Sequence, residues 1–341
     1  MALIEGLWLC DAGRQVCFID AAQNLGGSWK VASCLGYDNI ETGVHLIENR
    51  PNVNRWMRSV LQGRVLSQET MQNTGLWRGH HIPIAATRVL LHSLVAGKAV
   101  LRRRFDTASR VGLSARRAAQ NLNTEFLYPT GGFSSLVAAL TAQLRQKGAK
   151  FCMGSQVESV TPRATSIMLH GAGWNMEAAR LLMSSRAHAH INANDAPEVA
   201  VSSTTINSIA VLIDGQARFD GYVEIFTDPL IKRCRNIGIF ACPKVDPTQT
   251  ILSVQLRKPM NLLKNCGTQV CYSLSVLGLL EQSARCLDEQ PMPVVLHTMS
   301  ARSAQQINQR FSPVLQVLES TDFADCLETR LQNYLRASPS E

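Results

Sequence analysis

Apolar and polar positions divide the chain into three stretches of different rhythm. At the start, Ala2–Ala12 is apolar at helical spacing and closes at Gly13, which predicts a helix. Gln15–Asp20, "QVCFID", then reads as a short buried strand that ends on an acid. Ala21–Lys30 is a loop containing the pair Gly26-Gly27, and Asn39–Ile47, "NIETGVHLI", holds a strand-like piece before Pro51 breaks the pattern. Asn54–Gln62 predicts a helix, Arg64–Ser67 and His80–Pro83 short extended pieces, Thr87–Leu101 an amphipathic helix, and Ser109–Asn121 a second, basic one.

The rhythm resumes in Tyr128–Pro162, "YPTGGFSSLVAALTAQLRQKGAKFCMGSQVESVTP". The pair Gly131-Gly132 precedes a helix for which Ser134 or Ser135 is the expected cap. Leu136, Val137, Leu140 and Leu144 share one face of it, and Gly148 closes it. Lys150–Met153 and Gln156–Thr161 follow as strands, with Thr165–Leu169 and Ala179–Ser184 as two more. Beyond residue 186 the runs "INSIAVLID", "GYVEIFTD", "NIGIFAC" and "TILSVQLRK" predict a mixed or antiparallel sheet. Val294–Leu296 reads as a short strand, Ser303–Gln309 and Asp322–Arg336 as helices, and "ASPSE" as a frayed tail.

A helix, a glycine turn, a buried strand and a carboxylate at the strand's tip form half of a nucleotide-binding β-α-β unit. Asp20 stands where a ribose hydroxyl pair would lie. Gly26-Gly27 lets the backbone approach a phosphate or ring with no Cβ in the way. With 341 residues the chain exceeds what one compact core usually holds, so two or three structural units are expected.

Composition narrows the class. A hydrophobic content of 45% fits a globular protein, and no apolar run approaches the roughly 18 residues of a membrane-spanning helix. The ten cysteines form no C-x-x-C, so neither a zinc site nor a redox pair is expected, and a reduced, cytoplasmic setting is. His80-His81 and His188/His190 lack an acidic or Cys partner at ligand spacing, so no metal is expected. The net charge of +8 is concentrated in Lys98–Arg117, where seven basic residues meet one carboxylate, Asp106. A solvated helical face explains this; an anionic substrate or an acidic membrane surface, hence peripheral membrane contact, stands beside it. No aromatic interleaving accompanies the charge, so nucleic acid is not an expected partner. No G-x-S-x-G elbow or other nucleophile pattern occurs.

The segment "LWLCDAGRQVCFIDAAQNLGGSW" resembles the N-terminal part of the flavin-dependent amine oxidase superfamily, which includes monoamine oxidases, protoporphyrinogen oxidase and phytoene desaturases. The resemblance implies that Asp20 binds the adenosine ribose of FAD and that Gly26-Gly27 is the loop after it. "ETGVHLI" resembles the segment that runs beneath the flavin ring, which would bring His45 near that ring; a hydrogen-bonded, half-buried histidine is the alternative. "YPTGGFSSLVAALTAQLRQKGAKFCMGSQVESV" resembles the second cofactor segment, in which Val157 matches a backbone contact to adenine. Trp29 would either cover the cofactor or pack in the core. The family's G-x-G-x-x-G and its C-terminal FAD segment are not found in this sequence. The expectations that follow are a chain shortened at both ends, a degenerate relative, or one that holds the cofactor differently.

The expected architecture is α/β. An FAD-type Rossmann-like domain is assembled from residues 1–48 and 131–186, a helical insertion spans 49–130, and a β-rich substrate domain with a helical C-terminus spans 187–341. The expected function is an FAD-dependent oxidoreductase of the amine oxidase type, moving hydride from a small organic substrate to flavin, with no catalytic acid or base assigned. The alternative is a homologue without activity. A nicotinamide-dependent Rossmann enzyme fits less well, because the glycine pair after the acid and "PTGGFSSL" are flavin-fold features.

Overall fold

The structure is a computed structural model; it describes residues 2–29, 31–41, 47–62, 74–77, 80–103, 126–184, 190–192, 201–219, 222–238, 243–259, 264–318, 328 and 331–332. The expected pieces at Arg64–Ser67 and Ser109–Asn121, and most of Asp322–Arg336, lie outside these residues.

Helix α1 (Ala2–Asp11) leads into β1 (Cys17–Asp20), and a 3-10 turn at Gly27–Trp29 precedes the hairpin β2 (Val31–Cys34) and β3 (Tyr37–Glu41). Strand β4 (Ile47–Glu48) and helix α2 (Pro51–Val60) follow. Pro51 ends the extended pattern by opening α2, where its missing N–H costs nothing. The hairpin β5 (Thr74–Trp77) and β6 (His80–Pro83) runs into helix α3 (Ile84–Leu101). Strand β7 (Phe126–Leu127) precedes helix α4 (Gly132–Gln146), which feeds β8 (Lys150–Met153). Strands β9 (Ser159–Pro162), β10 (Ile167–Gly171), β11 (Trp174–Ala178), β12 (Leu181–Ser184) and β13 (His190–Ile191) follow.

The second half contains β14 (Val201–Ile206), β15 (Ser208–Asp214), β16 (Tyr222–Ile225), β17 (Ile231–Asn236) and β18 (Gln249–Leu256). Helix α5 (Cys266–Val276), β19 (Arg285–Pro291), β20 (Val294–Met299), helix α6 (Ala301–Phe311) and β21 (Leu315–Leu318) complete it.

A seven-stranded sheet in the order β19-β15-β18-β17-β16-β5-β6 carries the largest core. Strands β15 and β18 are buried along most of their length, as strands covered on both faces must be. Two of the seven strands, β5 and β6, come from the segment expected to be a helical insertion: β5 pairs in parallel with β16. The short strand expected at "NIGIFAC" lies earlier, at Ile231–Asn236, and residues 239–242 are outside the described ones.

On the other side, β1 pairs in parallel with β8, and β12 with β21, as two separate two-stranded sheets. Helices α1, α2 and α4 form one core with β1: Phe133, Leu136, Leu140 and Leu144 of α4 meet Ile4, Leu7, Val53 and Met57. The four-stranded sheet β11-β10-β9-β13 shares a further core with α6 and β21. Residues 301–318 thus return to the strands of the first half.

Candidate cofactor site

The site is built at the tips of β1 and β8. Their parallel register sets Asp20 opposite Met153, so both strands end at one level. Three hydrogen bonds lock the turns beyond. Ala22 N–H donates to Asp20 Oδ1 at 2.9 Å, Ser155 N–H to the Asp20 carbonyl at 2.9 Å, and Gly154 N–H to the Ala22 carbonyl at 3.1 Å. Gly154 has φ +70°, a backbone conformation that favours glycine; a Cβ there would displace only the end of the exposed Gln23 side chain. Asp20 is exposed at this edge. The turn uses its Oδ1; a carboxylate has lone pairs on both oxygens, which suits a ligand hydroxyl.

Gly26 (φ +131°) and Gly27 (φ +57°) follow in the loop. A Cβ on Gly27 would meet nothing within 4 Å, so its left-handed backbone, not crowding, is the reason for glycine. The loop ends on Trp29, whose ring lies 5.0 Å from that of Phe133 at 34°; Phe133 in turn meets Tyr128 edge-on at 5.0 Å. Trp29 therefore packs in the α4 core. Val157 sits between β8 and β9, outside both strands, because β9 begins at Ser159; its side chain is half-buried and packs with Ile19 on the β9–β10 core. His45 lies outside the described residues.

Cys17 Sγ lies 3.7 Å from Cys152 Sγ across the same strand pair. Burial, and then the hydrogen bond between the thiols, pushes Cys17 up to about 11. Cys17 therefore remains a thiol at neutral pH and is a poor nucleophile there. Among the described residues no cluster of three or more His, Cys, Asp or Glu is arranged to hold a metal ion.

A second polar centre lies at the start of α4. Glu41, the last residue of β3, is buried. Its Oε1 accepts from Phe133 N–H at 2.9 Å, and its Oε2 from Arg235 Nη1 at 3.1 Å. Arg235, on β17, is fully buried, and its guanidinium lies 4.1 Å from the centre of the Tyr128 ring. Burial pushes the Tyr128 hydroxyl well above its usual range; Arg235 opposes this and Glu41 adds to it. One carboxylate thus satisfies the positive end of α4 and a buried cation together. It also replaces the expected serine cap. The α4 N-cap is Gly131 with no side-chain bond; Ser134 Oγ donates to Asn39 Oδ1 at 2.6 Å and Ser135 Oγ to the Gly132 carbonyl at 2.7 Å. The capping carboxylate comes from a strand 92 positions away.

The strand pair with its acidic tip, the helix feeding β8 and the large sheet make a mixed α/β fold of the FAD-type Rossmann-like kind. No family model matches the chain, and no curated protein matches it. Solved structures match over nearly its whole length. A conjugated-linoleic-acid-producing fatty acid isomerase from P. acnes is 12% identical with a TM-score of 0.58, over 98% of this chain and 95% of that one. A candidate protoporphyrinogen oxidase from Exiguobacterium sp. 255-15 is 13% identical with a TM-score of 0.60, over 98% and 96%. A putrescine oxidase bound to putrescine is 10% identical with a TM-score of 0.59, over 92% and 90%. At these identities the likeness is one of fold.

Proposed function

We propose that this chain is an FAD-dependent oxidoreductase of the amine oxidase type acting on a small organic molecule. The observation that carries the reading is the near-complete overlap with solved oxidoreductase folds, an oxidase bound to its amine among them. Bound flavin would supply a hydride acceptor at its N5 position. The residues present fit the adenosine end of the cofactor: an exposed carboxylate at a strand tip, held by its own turn, beside a second parallel strand. Asp20 would accept the ribose hydroxyls, Gly26 and Gly27 would carry the loop past the cofactor, and Val157 would meet adenine through its backbone. His45 belongs to the same reading as a neighbour of the ring. No residue is assigned as catalytic acid or base, and substrate specificity falls to the residues lining the large sheet. Every cysteine among the described residues is a free thiol, which supports a cytoplasmic setting.

A homologue without activity is the second reading. Titration of the purified chain with FAD, followed by flavin fluorescence, separates the two. The proposal expects saturable binding that weakens about tenfold or more in Asp20→Asn, which keeps the turn acceptor but loses the charge-assisted bond. No binding, or equal binding by the variant, would count against it.

A further inference from the structure

Helix α3 (Ile84–Leu101), "IAATRVLLHSLVAGKAVL", is apolar along most of its length. A helix of that composition is ordinarily enclosed on all sides. This one leaves β6 at the outer edge of the seven-stranded sheet and packs on β5 and β6. At 100° per residue, Leu90, Leu94 and Leu101 fall within about 40° of one another, on the side opposite Ala99. Ala99 is buried, while Leu90, Leu94 and Leu101 are 52%, 60% and 87% exposed. Val95 and Val100 extend the exposed apolar surface on either flank.

Charge marks the same surface. Lys98 borders the leucine stripe, and the helix runs directly into Arg102 and Arg103; all three are exposed. The sequence stays basic beyond them, with Arg104, Arg110, Arg116 and Arg117 against Asp106 alone. A leucine stripe edged by cations at one end is the pattern of a helix lying in the headgroup plane of an anionic bilayer. A second copy packed in parallel on this face would bring two basic ends together. No helix among the described residues is long and apolar enough to cross a membrane.

We propose that α3 docks the protein on a bilayer containing anionic lipid: Leu90, Leu94 and Leu101 enter the acyl boundary, and Lys98, Arg102 and Arg103 meet the headgroups. This inference does not depend on cofactor binding.

Co-sedimentation of the full chain with phosphatidylcholine vesicles, with and without phosphatidylglycerol, tests it. The chain should sediment with the anionic vesicles and stay in solution with the neutral ones. Leu90→Ser/Leu94→Ser/Leu101→Ser and Lys98→Glu/Arg102→Glu/Arg103→Glu should each reduce vesicle partitioning by about 100-fold or more. Tyr272→Ser/Val276→Ser, an exposed apolar pair on α5, which packs on β15 and β19 at the opposite edge of the sheet, should leave it unchanged. If the triple serine variant misfolds, Leu94→Trp replaces it: the emission that the new indole adds should be quenched by brominated anionic lipid. Failure to sediment, sedimentation that survives both triple variants, added emission in Leu94→Trp that brominated lipid leaves unquenched, or a dimer in solution that the leucine variant dissociates would overturn the proposal.

Discussion

In β15 five of seven residues are buried; in β1 none of four is. Strand β15 lies between two antiparallel neighbours, β18 and β19, and shares its core with α5. Among the described residues β1 has one strand partner, β8, and it leans on helices instead: Phe18 stacks on Phe151 at 5.0 Å and fills the space beneath Gly6. The large sheet is a self-contained scaffold. The strand pair is an edge whose exposed tip carries the candidate cofactor residues. Ligand sites are commonly drawn from such less-protected parts of a fold. The Glu41–Arg235 pair joins the end of β3 and the start of α4 to β17 of the large sheet, beside the apolar core that Cys34 and Ile40 share with Ala210 and Ile251.

That coupling should give the largest effect when broken. Arg235→Ala leaves a buried carboxylate without its cation and should cost about 3–5 kcal/mol by urea denaturation. Glu41→Gln/Arg235→Met, which removes both charges, should recover most of the loss; if the double variant is as unstable as the single, the pair is not the link. Next, Leu252→Ala, at a fully buried position of β18, should cost about 2–5 kcal/mol, whereas Ile19→Ala, at a half-buried position of β1, should cost about 1 kcal/mol. Equal losses would erase the contrast between scaffold and edge. Gly27→Ala forces a left-handed backbone on alanine without any clash and should cost about 1–2 kcal/mol.

The smallest effect concerns pH. Folding holds the Cys17 proton more tightly than the unfolded chain does, since its value rises to about 11. Its contribution to stability is therefore fully present at neutral pH and is lost as pH rises through about 11. Cys17→Ala should flatten the alkaline fall of the urea midpoint, and alkylation of Cys17 should be slow until well above pH 9. Alkylation at the rate of an ordinary thiol would contradict the raised value of Cys17.

Elements with a clean period were legible in the sequence. The apolar face of α4 and the runs of β15 and β18 are stated by their own residues, and the β1 acid followed by a glycine loop identifies the nucleotide-type unit. Strand β19, "RCLDEQP", escaped because it is an edge strand, where charged residues and proline protect an open side. Helix α5, "CGTQVCYSLSV", has no marked polar face and no side-chain cap; Asn265 at its N-cap is left-handed. Strand β17, "IKRCRN", carries three basic residues in six and reads as solvent-facing, yet Arg235 within it is fully buried. Glu41 and Arg235 stand 194 positions apart, so only the tertiary fold brings them together. Their one local signature is a charge set among apolar neighbours, in "NIETGVHLI" and in "CRNIGIF".

We propose that the fold holds flavin through Asp20 at the tip of β1. The most direct test is the visible spectrum of the purified full-length chain, incubated with FAD and passed through gel filtration. The account predicts a yellow protein whose flavin bands co-elute with it and are lost in Asp20→Ala. A colourless protein that passes through unchanged by FAD would contradict it.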